Sequence, residues 1–419
     1  MRQLVLLLFC LLASIAQNAK PPASSETAKL VKEYLTKDGR NDAERTRQLA
    51  ILDRLATLPE LTPSQAITWQ KELLKLAAKA GPKLDSKGRG WFWEKPERKG
   101  LYIVGGKTTK PKGLLIGFQG GGAGAGDAGS SHSAYTSAAA KLGWVAVFPE
   151  VLEKTEHGWT DSGTEEFVVD LIEAAKRTWK LDPDHIYFSG HSMGGYGSWT
   201  LGAHHADTIA AAAPSAGAPT PLREQPGGPI VAIVDGVIPS LRNVPLVIYQ
   251  SDDDPQVPPD ANRGAVEALK QAKQRWGGFD FEYWEVSGRG HAQPPGGTPA
   301  LLDKIKDRAR NPVPARVVWQ PALGWKRQLY WLYWEKPVIG ALVVADVDKA
   351  KSTITITCDK DPTGLSVLVD DRLVDMKKDI VVTIAGKEVF RGRAKRTLAT
   401  LLLTAARNDA GLVFSARLP

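Results

Sequence analysis

The polar and apolar positions between residues 27 and 80 repeat with the period of a helix. In ERTRQLAILDRLATL, leucines recur every three residues from Leu49 to Leu58, which is the spacing of one helix face. The stretch TPSQAITWQKELLKLAAKAG begins with Thr-Pro, a common helix start, and stops at a Gly-Pro pair. These patterns predict a helical N-terminal extension over residues 20–88, whose simplest role is to pack against the rest of the protein.

Between residues 89 and 311, short apolar runs alternate with helical patterns. The runs include KGLYIVG, KGLLIGFQ, GWVAVFPEV, DHIYFSG, VPLVIYQ and FEYWEVSG, whereas EEFVVDLIEAAKRTW and ANRGAVEALKQAKQRWG have helical spacing. Strands separated by helices favour a mostly parallel sheet with helices on both faces. The pattern therefore predicts an α/β domain in this part of the chain.

The pattern changes again at residue 312. STITITCD, LSVLVDD, DIVVTIAGKEVFRGRAK and LVFSARL resemble short strands with intervening turns, and RTLATLLLTAAR is the one helical segment expected there. We therefore predict a separate β-rich domain over residues 312–419, with an accessory role.

Tryptophans are concentrated near the start of this β-rich domain, at Trp319, Trp325, Trp331 and Trp334. Exposed aromatic rings can stack on sugars, so contact with a carbohydrate is one hypothesis. Burial is the favoured interpretation, because both faces of a strand QLYWLYW would be apolar and aromatic side chains supply much of a core.

Composition and charge add little to this picture. The 419 residues are 43% hydrophobic and 24% charged, with a formal net charge of +8, which is ordinary for a globular protein of two or three domains. Much of the positive excess lies in residues 312–419, where 17 Lys and Arg face 11 Asp and Glu. No basic run is interleaved with aromatic residues, so a nucleic-acid groove is not indicated.

The first residues have the pattern of a secretory signal. Met1-Arg2 is followed by the apolar run LVLLLFCLLASIA, which is too short for a comfortable membrane span and ends in small residues. We predict a signal peptide over residues 1–19 and a secreted or periplasmic protein without stable membrane insertion; an uncleaved anchor is the alternative. Removal of the signal leaves Cys358 as the sole cysteine, so no internal disulfide is expected.

The sequence YFSGHSMGGYGSW contains a G-x-S-x-G pattern centred on Ser192. It follows the predicted strand HIYFSG and precedes a segment that can begin a helix, which is the context of a nucleophile elbow. A free serine hydroxyl is a weak nucleophile and needs a base within hydrogen-bond reach. Ser192 is therefore a candidate nucleophile, with a structural glycine-rich turn as the alternative.

The candidate base and acid lie after the last two strands predicted for the α/β domain. His291, in GRGHAQPP, can reach back over the sheet edge from the end of FEYWEVSG. The acid is expected at the end of VPLVIYQ, where Asp252, Asp253 and Asp254 are consecutive; Asp254 is preferred and Asp252 is the second choice. Three adjacent carboxylates could suggest calcium, but the run does not match a ligand spacing. The chain order serine, aspartate, histidine is that of α/β hydrolases.

The other histidines receive different interpretations. His191, inside the elbow, is expected to point away from the neighbourhood of the nucleophile. His204 and His205 fall on the following helix and are expected at the surface. His132 and His157 are expected in loops near the pocket, where they could touch substrate, and His185 is expected to be structural.

An oxyanion hole requires backbone N–H groups that face the developing negative charge. Met193, directly after the nucleophile, is one candidate donor. The glycine-rich loop in LLIGFQGGGAGAGD supplies the other, assigned to Gly121. A phosphate-binding loop is a poorer interpretation, because neither a P-loop nor a dinucleotide fingerprint is present.

Four motifs in this order resemble the α/β hydrolases, in particular the group of dienelactone hydrolase, esterase D and polyhydroxybutyrate-depolymerase or feruloyl-esterase proteins. The matching stretches are GFQGGG, LDPDHIYFSGHSMGGYGSW, DDDPQVPPD and GRGHAQPP, within about residues 90–310. The resemblance implies ester hydrolysis through an acyl-enzyme, with no metal or organic cofactor. Gln119 departs from the pattern, because such proteins commonly have histidine before the glycines.

The hypothesis from sequence is thus an exported serine esterase with the triad Ser192, Asp254 and His291. Its substrates would be polysaccharide-linked acyl or feruloyl esters, or polyesters, by analogy alone. A serine peptidase of the prolyl-oligopeptidase kind and a non-catalytic binding protein on a hydrolase scaffold are the alternatives.

Overall fold

A computed structural model describes residues 23–93 and 99–419. The predicted signal peptide, residues 1–19, lies outside the described residues. No helix in the described part of the chain is long and apolar enough to cross a membrane. The chain begins with three helices, α1 (Ser24–Leu35), α2 (Asp42–Ala56) and α3 (Pro63–Ala77).

The second part of the chain, up to residue 303, alternates strands and helices. Its strands are β1 (Arg89–Trp91), β2 (Leu101–Gly106), β3 (Leu114–Phe118), β4 (Val145–Pro149), β5 (Ile186–His191), β6 (Ala211–Ser215), β7 (Pro221–Arg223), β8 (Ile230–Ile233), β9 (Leu246–Ser251) and β10 (Phe281–Val286). Its helices are α4 (Ala128–Leu142), α5 (Thr164–Trp179), α6 (Met193–His204), α7 (Pro259–Trp276) and α8 (Gly297–Asp303).

The central sheet has the strand order β1-β2-β4-β3-β5-β6-β9-β10. Pairing is antiparallel at β1–β2 and β2–β4 and parallel from β4 to β10. The inner strands β3, β4 and β6 are wholly buried, because helices cover both faces of the sheet and leave no polar side for alternation. This is the α/β-hydrolase fold, as predicted.

The last part of the chain forms two further sheets and one helix. Its elements are β11 (Arg316–Trp319), β12 (Gln328–Leu329), β13 (Leu332–Trp334), β14 (Val343–Asp348), β15 (Thr353–Cys358), β16 (Leu365–Val369), β17 (Ile380–Ile384), β18 (Lys387–Gly392), α9 (Leu398–Ala405) and β19 (Ala416–Leu418). The sheet orders are β11-β14-β15-β17-β18 and β12-β13-β16-β19. The predicted β-rich C-terminal part is therefore present, with α9 as its expected helical segment.

The hydrophobic core is continuous between the α/β part and the β-rich part. One cluster of buried side chains joins Ile238 and Leu241 to residues on β11 and β13. Trp319, Trp331 and Trp334 belong to this cluster and are at most 2% exposed, so the prediction of burial is confirmed for these three. Burial removes their rings from contact with a sugar.

Trp325 differs from the other three tryptophans because it is half-buried. Its indole stacks with the ring of His205 at 5.7 Å between centroids, and the Arg40 guanidinium lies 6.0 Å from its centroid. The indole therefore packs between the N-terminal helices and the α/β part.

The N-terminal helices pack against the C-terminal part. Leucines of α2 and α3 share a cluster with Leu398, Leu401 and Leu402 of α9. Helix α3 begins as predicted, because Thr62 and Gln65 form a capping box. The helical extension is thus a packing element of the whole chain.

His204 and His205 do not lie at the surface, so that prediction is wrong. His205 is 2% exposed, and both rings bind the Glu165 carboxylate, at 2.8 Å from His204 Nδ1 and 3.0 Å from His205 Nε2. Burial alone would raise the pKa of Glu165, but these partners lower it to about 2. The stacking of Trp325 on His205 covers this end of helix α6.

A buried ionic cluster joins the α/β part to the C-terminal part around Asp207. The Asp207 side chain is fully buried. It accepts hydrogen bonds from Lys326 Nζ at 2.6 Å and from Arg407 Nη1 at 2.6 Å. Two cations on one carboxylate outweigh its burial and hold the pKa of Asp207 far below the usual range.

Replacing Asp207 with Asn is expected to lower the free energy of unfolding by about 3 to 5 kcal/mol, because Lys326 and Arg407 would stay buried without a counter-charge. Urea unfolding of the full chain at neutral pH measures this effect. Asp348→Asn is the matched control, since Asp348 pairs with Lys351 at the surface and such pairs contribute about 0 to 1 kcal/mol.

Lowering the pH should reduce the difference in the free energy of unfolding between wild type and Asp207→Asn. The pKa of Asp207 is lower in the folded state than the ordinary value of 3.8, so its stabilising contribution is complete above that value and is lost as the pH falls below it. Equal stability of the two proteins at neutral pH would contradict the assigned role of Asp207.

Candidate active site

Ser192 lies on a sharp turn between β5 and α6. Its backbone has φ 60° and ψ −125°, an unfavourable conformation for a residue with a Cβ atom. The Ser192 amide donates to the carbonyl of Ser215 at 2.9 Å, which ties the turn to the end of β6. This is the strand–turn–helix geometry predicted for a nucleophile elbow.

The flanking glycines are required by the close approach of neighbouring backbone. A Cβ atom on Gly190 would lie 2.5 Å from the carbonyl oxygen of Gly194, and one on Gly194 would lie 2.3 Å from that of Phe118. Any side chain at either position would push the elbow away from β3. The G-x-S-x-G pattern is therefore a steric requirement of this turn.

The structure brings His291 and Asp254 together. His291 Nδ1 lies 2.7 Å from Asp254 Oδ2, and since a carboxylate only accepts, Nδ1–H is the donor. Asp254 Oδ1 accepts from the amides of Gln256 and Val257, both at 2.9 Å. The Asp254 side chain is fully buried, and that of His291 is 12% exposed. A buried carboxylate thus fixes the tautomer of a partly accessible imidazole.

The three consecutive aspartates have separate partners. Asp254 binds the ring of His291, Asp253 accepts from the amides of Arg289 and Gly290, and Asp252 accepts from the Ser287 hydroxyl. No group of three His, Cys, Asp or Glu side chains that could hold a metal occurs within residues 23–93 and 99–419. The run therefore binds the segment that carries His291.

Two backbone segments lie beside Ser192, namely the start of α6 and the glycine loop after β3. Met193 is the first residue of α6, and the first amides of a helix have no partner in a preceding turn. Gly120 contacts the elbow, since a Cβ on it would lie 3.5 Å from Ser192 Cβ. Gly121 is the next residue of this loop, and its role as second donor stays a prediction.

Gln119 holds the glycine loop through its main chain. Its carbonyl accepts from Trp159 Nε1 at 3.2 Å. The Gln119 side chain is fully buried, and both of its polar atoms lack a hydrogen-bond partner among the described residues. The departure from histidine at this position therefore leaves the loop anchored by its backbone.

The histidines predicted near the pocket have mixed outcomes. His132 lies on α4 against Phe148 and not in a loop, so that expectation is wrong. His157 is exposed in a loop, with its ring 5.5 Å from that of Tyr196 on α6. His185 precedes β5 and contacts Asp182 at 3.0 Å.

His191 was expected to point away from the neighbourhood of the nucleophile, and the structure contradicts this. Its ring lies 4.8 Å from that of His291 between centroids. Its Nε2 is 3.2 Å from the carbonyl oxygen of His291, and its Nδ1 is 2.9 Å from Ser215 Oγ. The G-x-S-x-G pattern could have indicated this contact only if the path of the His291 loop were known.

A cavity of about 300 Å³ lies away from Ser192, at the junction of the N-terminal helices, α5 and the C-terminal part. Several of its charged side chains form ion pairs, as in Arg40 with Asp170 and Arg45 with Glu335. None of Ser192, Asp254 and His291 lines this cavity.

Comparisons with known proteins concern the fold. No family model matches the sequence, and no curated protein matches it. Among solved structures, similarity is found to a thermostable esterase (TM-score 0.40, 17% identity, 54% of this chain and 64% of that one). Est1E from Butyrivibrio proteoclasticus is similar with a TM-score of 0.38 and 16% identity, over 53% of this chain and 97% of that one. Thermogutta terrifontis esterase 2 is similar with a TM-score of 0.40 and 16% identity, over 54% of this chain and 93% of that one.

The chain spans less than two thirds of the length of the thermostable esterase. Because these TM-scores are low, the assignment of the fold rests on the sheet and the elbow themselves. With its strand order β1-β2-β4-β3-β5-β6-β9-β10 and Ser192 on the turn after β5, the chain has the α/β-hydrolase fold.

Proposed function

We propose that this protein is an exported serine hydrolase that cleaves carboxylic esters through an acyl-enzyme. One observation carries the proposal: a buried Asp254 carboxylate holds the imidazole of His291, whose ring lies 4.8 Å from that of His191 in the strained elbow that presents Ser192. A nucleophile, a base and an orienting acid in this relation are what acyl transfer requires.

In the proposed reaction, Ser192 Oγ attacks the ester carbonyl carbon while His291 Nε2 accepts the hydroxyl proton. Asp254 stabilises the imidazolium, and the amides of Met193 and Gly121 bind the oxyanion. Collapse of the tetrahedral intermediate transfers the proton from His291 to the leaving alcohol. Water then attacks the acyl-enzyme with His291 again as the base, which releases the acid and restores Ser192.

The substrate class is proposed from the resemblance of the motifs. Acyl or feruloyl esters on polysaccharides, or polyesters, suit an exported enzyme of this kind. A serine peptidase would use the same triad, and a binding protein would need none of it.

Labelling with a fluorophosphonate tests the proposal, because the reagent phosphonylates a serine that has an activated hydroxyl. We expect stoichiometric labelling of Ser192 in the full chain, located by peptide mass spectrometry. A panel of acetyl and feruloyl esters, a polyester film and a prolyl peptide then separates the classes. Turnover of the peptide alone would favour the peptidase, and an unlabelled Ser192 would favour the binding protein.

A further inference from the structure

The segment after β10, residues 287–291, carries His291 and contains two glycines. Gly288 and Gly290 have φ values of 73° and 52°, and a Cβ on either would meet nothing within 4 Å. These glycines serve the conformation of the turn and not close packing. Because glycine has the largest conformational freedom, the turn needs other contacts to hold His291 in one place.

Asp253 supplies contacts on one side of this segment. Its Oδ1 accepts hydrogen bonds from the amides of Arg289 at 3.1 Å and Gly290 at 2.9 Å, and from Ser251 Oγ at 2.5 Å. The Ser251 hydroxyl and the Gly290 amide lower the pKa of Asp253, so the carboxylate stays ionised as an acceptor. Its side chain reaches main-chain atoms and does not bind the ring of His291.

His191 supplies the contact on the other side. The carbonyl oxygen of His291 can only accept, so His191 Nε2–H is the donor across their 3.2 Å contact. Nδ1 of the neutral ring is then the acceptor for the Ser215 hydroxyl at 2.9 Å. Burial, followed by the nearby His291, lowers the pKa of His191 to about 4, which agrees with a neutral ring.

We propose that Asp253 and His191 form a two-sided backbone clamp, holding the amides of residues 289 and 290 and the carbonyl of His291, and thereby position the imidazole for Ser192. The clamp rests on the proposed function, since it acts through the base of that reaction. His191 precedes Ser192 in the chain, so the clamp links the base directly to the nucleophile's own turn. Both members are positioning residues because their hydrogen bonds go to main-chain atoms of residues 289–291 and not to the imidazole nitrogens of His291.

The clamp explains two features that the triad leaves without a role. Asp253, the middle aspartate of the run, binds the backbone amides of residues 289 and 290, whereas Asp254 binds the ring of His291. The two carboxylates therefore hold different parts of the same segment. The histidine of G-H-S-M-G lies where its ring nitrogen can reach the base loop. A misplacement of about 1 Å in such a site can cost about 100-fold in rate.

The test uses Asp253→Ala and His191→Phe in the full chain, with hydrolysis of p-nitrophenyl acetate and the rate of fluorophosphonate labelling as readouts. We expect kcat and the labelling rate to fall by about 10- to 100-fold, with KM changed by less than about twofold, since neither residue would bind substrate. The double variant should lose less than the product of the two single effects, because both act on one segment.

Conservative variants separate positioning from loss of structure. His191→Gln keeps a donor for the His291 carbonyl, so it should recover most of the rate that is lost in His191→Phe. Asp253→Asn keeps an acceptor for the amides, so it should recover most of the rate that is lost in Asp253→Ala. Asp260→Ala, at an exposed position, and His185→Gln, at a half-buried position before β5, should behave as wild type. Thermal unfolding verifies that each variant is folded.

The outcomes distinguish the clamp from the function on which it rests. If wild type is not labelled at Ser192, the proposed function fails. If wild type is labelled and the folded Ala and Phe variants react at its rate, or the Gln and Asn variants recover nothing, the clamp is wrong and the triad stands.

Discussion

Replacing Ser192 with Ala is expected to lower kcat for p-nitrophenyl acetate by about 10⁴- to 10⁶-fold, to a level set by binding and the oxyanion donors alone. The large effect follows from the mechanism, because no other hydroxyl occupies the turn from which an acyl-enzyme could form. The loss should appear in kcat and kcat/KM together, since the nucleophile acts in the transition state. Fluorophosphonate labelling should disappear in the same variant.

Ser133→Ala is the matched control for this substitution. Ser133 is exposed on α4, so its loss removes a hydroxyl without touching the elbow. Both variants should unfold at the wild-type temperature, because an alanine in place of Ser192 can keep the backbone conformation of the turn. Activity of folded Ser192→Ala above a few per cent of wild type would show that another residue is the nucleophile.

The features near Ser192 were predictable because they are local. A strained turn between a buried strand and a helix requires small neighbours, and Gly190 and Gly194 record that requirement in the sequence. The apolar runs of β3, β4 and β5 likewise record burial on both faces of a parallel sheet. The alternation of strands and helices and the elbow motif therefore predict the fold class from the residues alone.

The features that could not be predicted depend on residues distant in the chain. His204 and His205 occupy helix positions that resemble a surface, but both rings bind the Glu165 carboxylate and Trp325 stacks on His205. His191 binds a carbonyl one hundred residues away. No periodicity or spacing encodes such contacts, because they arise where separate loops and domains meet.

The change of pattern at residue 312 coincides with a change of sheet architecture. The core cluster crosses this point, and the Asp207 carboxylate of the α/β part takes its counter-charges from Lys326 and Arg407. Removing these two cations would leave the buried carboxylate unpaired, which would strongly destabilise the fold. The C-terminal part therefore acts as a structural complement of the hydrolase-fold part, and the described N-terminal residues 23–88 attach to both through α9 and Arg40.

Replacing Asp254 with Asn is expected to lower kcat for p-nitrophenyl acetate by about 10³- to 10⁴-fold. The Asn amide would offer a donor where His291 Nδ1–H now needs an acceptor, which favours the tautomer with its proton on Nε2. That tautomer cannot take the proton of Ser192. The buried position also matters, because a fully enclosed carboxylate stabilises the imidazolium without competition from water.

Asp252→Asn is the comparison for this prediction, since Asp252 lies two residues before Asp254 on the same loop and accepts from the Ser287 hydroxyl at the surface. We expect its kcat to stay within about twofold of wild type, because the Asn carbonyl can still accept from the Ser287 hydroxyl and neither group binds the ring of His291. The pH dependence of kcat/KM adds a second criterion: in Asp254→Asn, residual activity should rise at alkaline pH, where hydroxide can replace the missing base. If Asp252→Asn is crippled and Asp254→Asn is active, the acid of the triad has been misassigned within the run.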